Sequence, residues 1–239
     1  MDRFVYETHL HTNQASRCGQ LSGAEMARLY HKAGYTGIVI TDHFLGGNTA
    51  IDPQLPWEQW VESFCAGYAD AKQEGDKLGL QVFFGWESGF KGTEFLVYGL
   101  DKQWLLDHPE IKGCTAQQQY ELVHSGGGIV IHAHPFRVRP YIHEIRLFPD
   151  FVDGVEIYNG AQCSVAGPRT PEDVLATQQA LDYAKEHNLP GTSGSDQHGS
   201  NLFGVGMVFS RKLQDIHDFT QAVLHREAVE LLDGFAPMK

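Results

Sequence analysis

The chain has 239 residues, with 18 Lys+Arg against 30 Asp+Glu, so its formal net charge is −12 with histidine neutral. That balance excludes a basic grip on nucleic acid as the main source of affinity, and no stable nucleic-acid complex is expected. Apolar residues make up 42% of the chain but fall in short runs, which argues against any membrane span, and MDRFVYETHLHT offers no apolar stretch of the kind a signal peptide needs. The expectation is a cytoplasmic protein with no membrane partner, folded as one domain over residues 1–239.

In chain order, β-branched and aromatic runs alternate with amphipathic stretches, the pattern of repeated βα units and a mainly parallel sheet. The first strand is predicted at 3–9. A helix follows Ser22, where Glu25 three residues on makes a capping box and Gly34 ends the run. A second strand at 36–41 leads into a long loop at 44–56. Pro56 then opens a helix whose Trp57, Trp60, Val61, Phe64 and Tyr68 fall on one face, an aromatic stripe suited to covering a strand rather than holding a ligand. Further strands are predicted at 80–86, 94–99, 128–133, 153–158 and 190–194, with later pieces near 204–209 and 227–232. Helices are expected to start near Thr115, Pro171 and Leu213, and a second long loop spans 159–170. Seven or more strands in a chain of this length suggest closure into an α/β barrel. Cys18, Cys65, Cys114 and Cys163 form no CxxC pair and are read as reduced thiols.

Polar residues crowd the carboxyl ends of these strands: His9-Leu10-His11, Thr41-Asp42-His43, Gly85-Trp86-Glu87, His132-Ala133-His134, Glu156-Ile157-Tyr158-Asn159 and Ser195-Asp196-Gln197-His198. In an α/β barrel that rim carries the catalytic groups. Residues two apart on a strand share a side, so His9 with His11, and His132 with His134, are each expected to face inward as a pair able to grip a metal. Imidazole mixed with carboxylate suits Zn²⁺, Mn²⁺ or Fe²⁺ better than Ca²⁺ or Mg²⁺. The remaining histidines, His31, His108, His124, His143, His187, His217 and His225, lie away from strand ends and are read as surface residues.

Taken together, HLHT at 9–12, TDH at 41–43, GWE at 85–87, HAHPFR at 132–137 and GSDQH at 194–198 resemble the PHP (polymerase and histidinol phosphatase) family of metal-dependent phosphoesterases. The resemblance implies an α/β fold, a distorted seven-stranded (β/α)₇ TIM-like barrel, with two or three divalent transition-metal ions (Zn, Mn or Fe) as cofactors. Carried over by position, it implies that His9 and His11 hold one metal with Glu87 and Asp196. Glu87 would bridge to a second metal at His134, and His43 and His198 would hold a third. Where many members have a histidine, this chain has Glu94, which either ligates the second metal or is an exposed strand-start residue. Many members also carry an acidic or histidine ligand after HxHT. Here the segment reads Asn13-Gln14-Ala15-Ser16-Arg17-Cys18-Gly19, so the third metal is expected to be weakly held or rich in water.

The implied activity is hydrolysis of small phosphate monoesters or nucleotide phosphates by a metal-bridged hydroxide, with Glu87, Asp196, His198 and Arg137 as catalytic residues. Arg137 and Arg17 are placed to fork onto the phosphorylated substrate, with His132 in contact with the ligands or the substrate, and Asp42 is placed to orient an imidazole. Two rival readings remain. One is an amidohydrolase, a class that typically bridges its metals with a strand-end lysine, and no predicted strand here ends in lysine. The other is a non-catalytic metal-binding PHP barrel.

Overall fold

A computed structural model describes residues 2–140, 142–162, 170–201 and 203–234; Cys163 and most of the loop expected at 159–170 lie outside them. Among the described residues the β-branched runs become nine strands: β1 (Phe4–Leu10), β2 (Gly37–Ile40), β3 (Gln81–Phe90), β4 (Thr93–Tyr98), β5 (Ile129–Ala133), β6 (Gly154–Asn159), β7 (Gly191–Gly194), β8 (Val205–Phe209) and β9 (Glu230–Asp233). The helices are α1 (Gly23–Lys32), α2 (Trp57–Phe64), α3 (Ala66–Leu78), α4 (Lys102–Asp107), α5 (Ala116–Ser125), α6 (Pro171–Glu186) and α7 (Ile216–Leu224). The Ser22/Glu25 capping box of α1 forms as its spacing predicts. The helix expected to run unbroken from Pro56 past Tyr68 divides at Cys65. Helix α4, which the sequence reading lacks, is a short turn capped by Asp101, whose side chain accepts from the Trp104 N–H.

The strands form one sheet in the order β7-β6-β5-β4-β3-β2-β1-β8-β9. Its direction departs from the mainly parallel expectation. Strand β4 runs antiparallel to both β3 and β5, and β8 runs antiparallel to both β1 and β9. The cause is the connection between β3 and β4. Only Lys91 and Gly92 lie between them, both with left-handed backbone, the geometry of a tight hairpin, whereas a parallel crossover needs a dozen or more residues. The sheet curls until its ends meet near the site. There the Asp196 N–H donates to the His9 carbonyl at 2.8 Å and the His11 N–H to the Gln197 carbonyl at 2.9 Å, joining the end of β1 to the segment after β7.

Side chains from β1, β2, β3, β4, β5 and β8, among them Tyr6, Val39, Phe83, Leu96, Ile131 and Met207, meet in one cluster with Phe219 and Val223 of α7. That cluster is the inside of the curl. The opposite sheet face is covered by α1 and α3 around Met26, Tyr30 and Ile38, by α2 and its neighbours around Trp60, Phe64 and Trp86, and by α6 around Val155 and Tyr183. The aromatic stripe of α2 is therefore core: Trp60 is stacked on Trp57 and Phe64 and meets Phe44 edge-on. Among the described residues no helix is long and apolar enough to cross a membrane.

Trp60 is 2% exposed. Truncation to alanine is expected to cost about 3–5 kcal/mol in chemical denaturation. Trp60→Phe, which keeps a ring and removes an indole N–H that has no partner, should cost clearly less.

Candidate metal centre

Strand alternation decides which polar residues reach the barrel mouth. On β3, Phe84 and Trp86 pack outward against the helices and Phe83 inward, so Glu87, four residues beyond Phe83, also faces in. On β2, Ile38 and Ile40 face α1 and Val39 faces in, a phase that continues to His43. Strand β1 needs a correction of phase. Val5 and Leu10 share the α1 cluster although they are an odd number of residues apart, because the β1–β2 register shifts between Glu7 and Leu10. That irregularity, between Glu7 and Leu10, turns both His9 and His11 into the mouth.

The second histidine pair does not behave as its spacing predicts. Strand β5 sends Ile129, Ile131 and Ala133 inward. His132 points outward, stacked on Phe95 at 5.0 Å and near Phe148 and Tyr183. It is fully buried and neither ring nitrogen has a partner. Burial, aided by His134, depresses its pKa to about 3, so it is a neutral ring of the outer core, behind the sheet and away from the cleft. His134 reaches the mouth only because it leaves the strand, with φ of 28°. Asp196 likewise has left-handed backbone, with φ of 54°.

All eight residues expected to bind metal converge. They fall into four overlapping groups whose donor atoms lie within 4.8 Å of one another: His9, His11 and Asp196; His9, Glu87 and His134; His43, Glu87 and Glu94; and His11, His43 and His198. Glu94 belongs here because β4 is antiparallel, which brings its beginning, rather than its end, to this rim. Its Oε2 is 3.5 Å from His134 Nε2.

The outward ring nitrogens are held by the protein, which fixes each tautomer. His9 Nδ1 meets Glu156 Oε1 at 2.8 Å, and His198 Nδ1 donates to the Asp196 carbonyl at 2.8 Å. His11 Nδ1 is 3.3 Å from Ser16 Oγ, which in turn donates to Asp42 at 2.7 Å. Each contact turns Nε2 of that ring toward the centre, as a ligating imidazole requires. There His11 Nε2 lies 3.2 Å from His9 Nε2 and 3.1 Å from Asp196 Oδ1. Asp42 therefore does orient an imidazole, but through Ser16 rather than by touching His43.

The donor set fits divalent cations. His43 Nδ1 and Glu87 Oε2 approach to 2.7 Å, yet neither has an aligned hydrogen bond. Burial pushes Glu87 up, but His9 and His43 hold it well below the usual carboxylate range. Asp196, also pushed up by burial, is held low by Arg137 and His9. His11 is driven the other way, toward the neutral form, by burial and by His43 and His198.

Arg137 is buried, and its Nη2 donates to Asp196 Oδ2 and, at 3.1 Å, to Asn159 Oδ1. Its Nε has no partner, and it lines a 530 Å³ cleft over the centre together with Cys18, His43, Glu94 and His198. Arg17 lies apart from that cleft: its Nε donates to the Thr49 carbonyl at the surface. Of the seven histidines read as surface residues, His108 is half-buried against Trp104 and the other six are exposed.

Two acids at the site carry roles that sequence reasoning did not assign. Glu7 is fully buried and accepts from the Ser195 N–H at 2.8 Å and the Tyr30 hydroxyl at 3.1 Å. Glu156 holds the His9 ring, the His134 N–H at 3.0 Å and the Asn159 amide at 2.9 Å. The available signal was an acid between Val155 and Ile157, apolar residues that set the opposite phase of β6.

The geometry has parallels in solved structures. The chain aligns with a two-domain protein from Bacteroides vulgatus containing a predicted PHP-like metal-dependent phosphoesterase, at TM-score 0.67 and 16% identity, over 95% of this chain and 64% of that one. The chain has the PHP-like fold. It therefore spans less than two thirds of that relative. The PHP-like barrel is also similar to a candidate metal-dependent phosphoesterase from Bifidobacterium adolescentis (TM-score 0.56, 16% identity, 92% of this chain and 96% of that one). A third similar structure is an amidohydrolase from Chromobacterium violaceum (TM-score 0.59, 14% identity, 94% of this chain and 97% of that one). A family model described as PHP-associated matches residues 175–228. Comparison with curated proteins gives no match.

Glu156→Gln places an amide where three donors now point. Metal affinity is expected to fall about 10–100-fold, read by titrating the stripped protein with Zn²⁺, while far-ultraviolet circular dichroism stays that of the parent.

Proposed function

We propose that the protein is a metal-dependent phosphoesterase that hydrolyses small phosphate monoesters or nucleotide phosphates. The observation that carries this reading is the convergence of five imidazoles and three carboxylates beneath a cleft whose lining cation is Arg137. His9, His11 and Asp196 would hold one ion, Glu87 and His134 a second with Glu94 beside it, and His43 and His198 a third. The mixed N/O donors suit Zn²⁺, Mn²⁺ or Fe²⁺. Bound divalent ions would neutralise phosphate oxygens and bring the pKa of a coordinated water near neutrality.

The chain's own residues supply the rest. Glu156, Ser16 and the Asp196 carbonyl fix three rings before substrate arrives, which is the preorganisation an electrostatic site needs. His198 is the most open ligand, with its side chain 27% exposed, and faces the incoming ester. Arg137 keeps Asp196 ionised and lines the cleft, with its buried Nε unpartnered. Arg137 lines the cleft and Arg17 does not, which favours Arg137 as the anion-binding residue. A carbonyl substrate is the second reading, favoured by the likeness to the Chromobacterium violaceum amidohydrolase. Against it, no lysine lines the cleft among the described residues.

Hydrolysis of p-nitrophenyl phosphate by stripped protein, with Mn²⁺ or Zn²⁺ added back, distinguishes the two. Metal-dependent release of nitrophenolate is expected. Silence on every phosphate ester, with turnover of amides or lactones, would support the second reading. Glu87→Gln and Asp196→Asn should each abolish turnover with the fold retained, because each removes a donor shared by the cluster.

Arg137→Ala is expected to lower kcat/KM about ten- to a hundredfold, the size of a charge-assisted phosphate contact of roughly 1.5–3 kcal/mol. Metal retention should also weaken, since Asp196 loses its partner. Arg137→Lys should recover only part of the loss, because an ammonium lacks the planar fork.

A further inference from the structure

Three glycines line the cleft over the metal centre, Gly46, Gly47 and Gly92, and the fold accounts for two of them. Gly46 has left-handed backbone, with φ of 76°, and a Cβ on it would come within 2.0 Å of the Gly89 carbonyl oxygen. Gly92 is the left-handed second residue of the β3–β4 hairpin, with φ of 87°. Gly47 is different. Its φ lies outside the left-handed region, and an added Cβ would meet nothing closer than 3.4 Å, an ordinary van der Waals distance. The backbone there accepts alanine, and glycine where alanine fits lowers stability, because the unfolded chain keeps more freedom. The loop around Gly47 is also held in place. The Phe44 N–H donates to the Glu87 carbonyl at 2.7 Å, the Gly47 N–H to the Phe44 carbonyl at 3.2 Å, the Gly89 N–H to the Leu45 carbonyl at 3.1 Å and the Arg17 N–H to the Asn48 carbonyl at 3.0 Å.

What the missing side chain leaves is space beside a candidate ligand. The atoms nearest to a Cβ at position 47 are His43 Nδ1 and the Phe44 carbonyl oxygen, both at 3.4 Å. His43 is 7% exposed, its Nδ1 has no aligned hydrogen bond, and it belongs to two of the donor groups at the centre. A buried nitrogen without a hydrogen-bond partner and an unfilled stretch of wall therefore open on the same part of the 530 Å³ cleft. Resting on the phosphoesterase reading above, we propose that Gly47 is a specificity-determining residue whose missing side chain admits substrate bulk close to the phosphorus. The ring or branched carbon that carries the ester oxygen lies over Gly47, while the phosphate meets the centre and Arg137. The substrate class is then phosphate esters of cyclic or branched alcohols. A side chain at position 47 would exclude these by steric clash and still leave room for the phosphate itself.

The test compares the parent, Gly47→Ala and Gly47→Val as full chains loaded with Mn²⁺. Each is titrated calorimetrically with two probes that cannot be hydrolysed, methylphosphonate and phenylphosphonate, which differ in the bulk on phosphorus. The parent is expected to bind both. In Gly47→Val, whose methyl groups are rooted at Cβ and cannot swing aside, affinity for phenylphosphonate should fall roughly tenfold or more relative to methylphosphonate. Gly47→Ala should shift the same ratio in the same direction by less, and it carries the test alone where valine disturbs the fold. Two further readouts separate this role from a structural one: Gly47→Ala should melt at or above the parent temperature and hold as much metal per chain by elemental analysis. Parallel losses for both probes, no loss for either, or a lower melting temperature in Gly47→Ala would overturn the role of Gly47 and leave the phosphoesterase reading standing. Loss of metal in Gly47→Ala would assign the space to the ion and overturn that role likewise. A loaded parent that binds neither probe would overturn both.

Discussion

Buried carboxylates without enough cations are the constraint from which the rest of this structure follows. Glu87, Glu156 and Asp196 are each about 1% exposed, Glu94 stands beside them, and Arg137 is the one guanidinium among them. Burying charge in that proportion is costly unless ions or hydrogen bonds offset it. The protein offsets part of the cost itself, through Arg137 on Asp196 and through the donors that saturate Glu156. The remainder is concentrated on atoms that face a common centre, where a divalent ion is the chemically simplest partner. Under the proposed function, metals balancing that local excess of acid would let a chain of net charge −12 receive an anionic ester.

Placing so many donors on one point requires the backbone to break its own periodicity. A regular strand at β1 would have left its inward phase on the wrong residue, and the register shift between Glu7 and Leu10 corrects it. At β5 the correction is larger. His134 takes a left-handed conformation to turn away from the side occupied by His132, and the carboxylate of Glu156 holds its N–H in that position. Non-glycine residues with left-handed backbone carry a cost of order 1–3 kcal/mol and persist where surrounding contacts over-determine them. Here two of the candidate ligands, His134 and Asp196, are such residues. Glu156 is thus a positioning residue for two separate ligands, one by its ring and one by its backbone.

The loops add a second layer. Asp42 is not beside a metal ligand ring, yet it fixes Thr12 and Ser16, and Ser16 reaches both the His11 ring and the His43 N–H. Burial raises Asp42 to about 6 even with these hydrogen bonds, so its charge is maintained by the loop that it anchors. Gly67 at the start of α3 leaves room for this contact, since a Cβ there would come within 2.1 Å of Thr12 Oγ1 and 2.9 Å of Asp42 Oδ2.

Period and composition determined a great deal of this by themselves. Alternating runs located the strands to within a few residues, the Ser22 and Thr115 signals placed helix starts, and strand-end polar residues named seven of the eight members of the cluster, because each of these is a property of a few adjacent residues; Glu94 was raised only by the family resemblance. Strand direction, side-chain phase and loop reach were decided only by the tertiary structure. Glu94 counts as part of the site because a two-residue hairpin reverses β4. His132 drops out because its side chain faces the other side of the sheet, and Arg17 because it stands at the surface outside the cleft. Glu156 enters because β6 delivers it to His9 and His134, partners far away in sequence. Those outcomes depend on contacts between distant segments, and no local pattern of residue types encodes the distance between two loops.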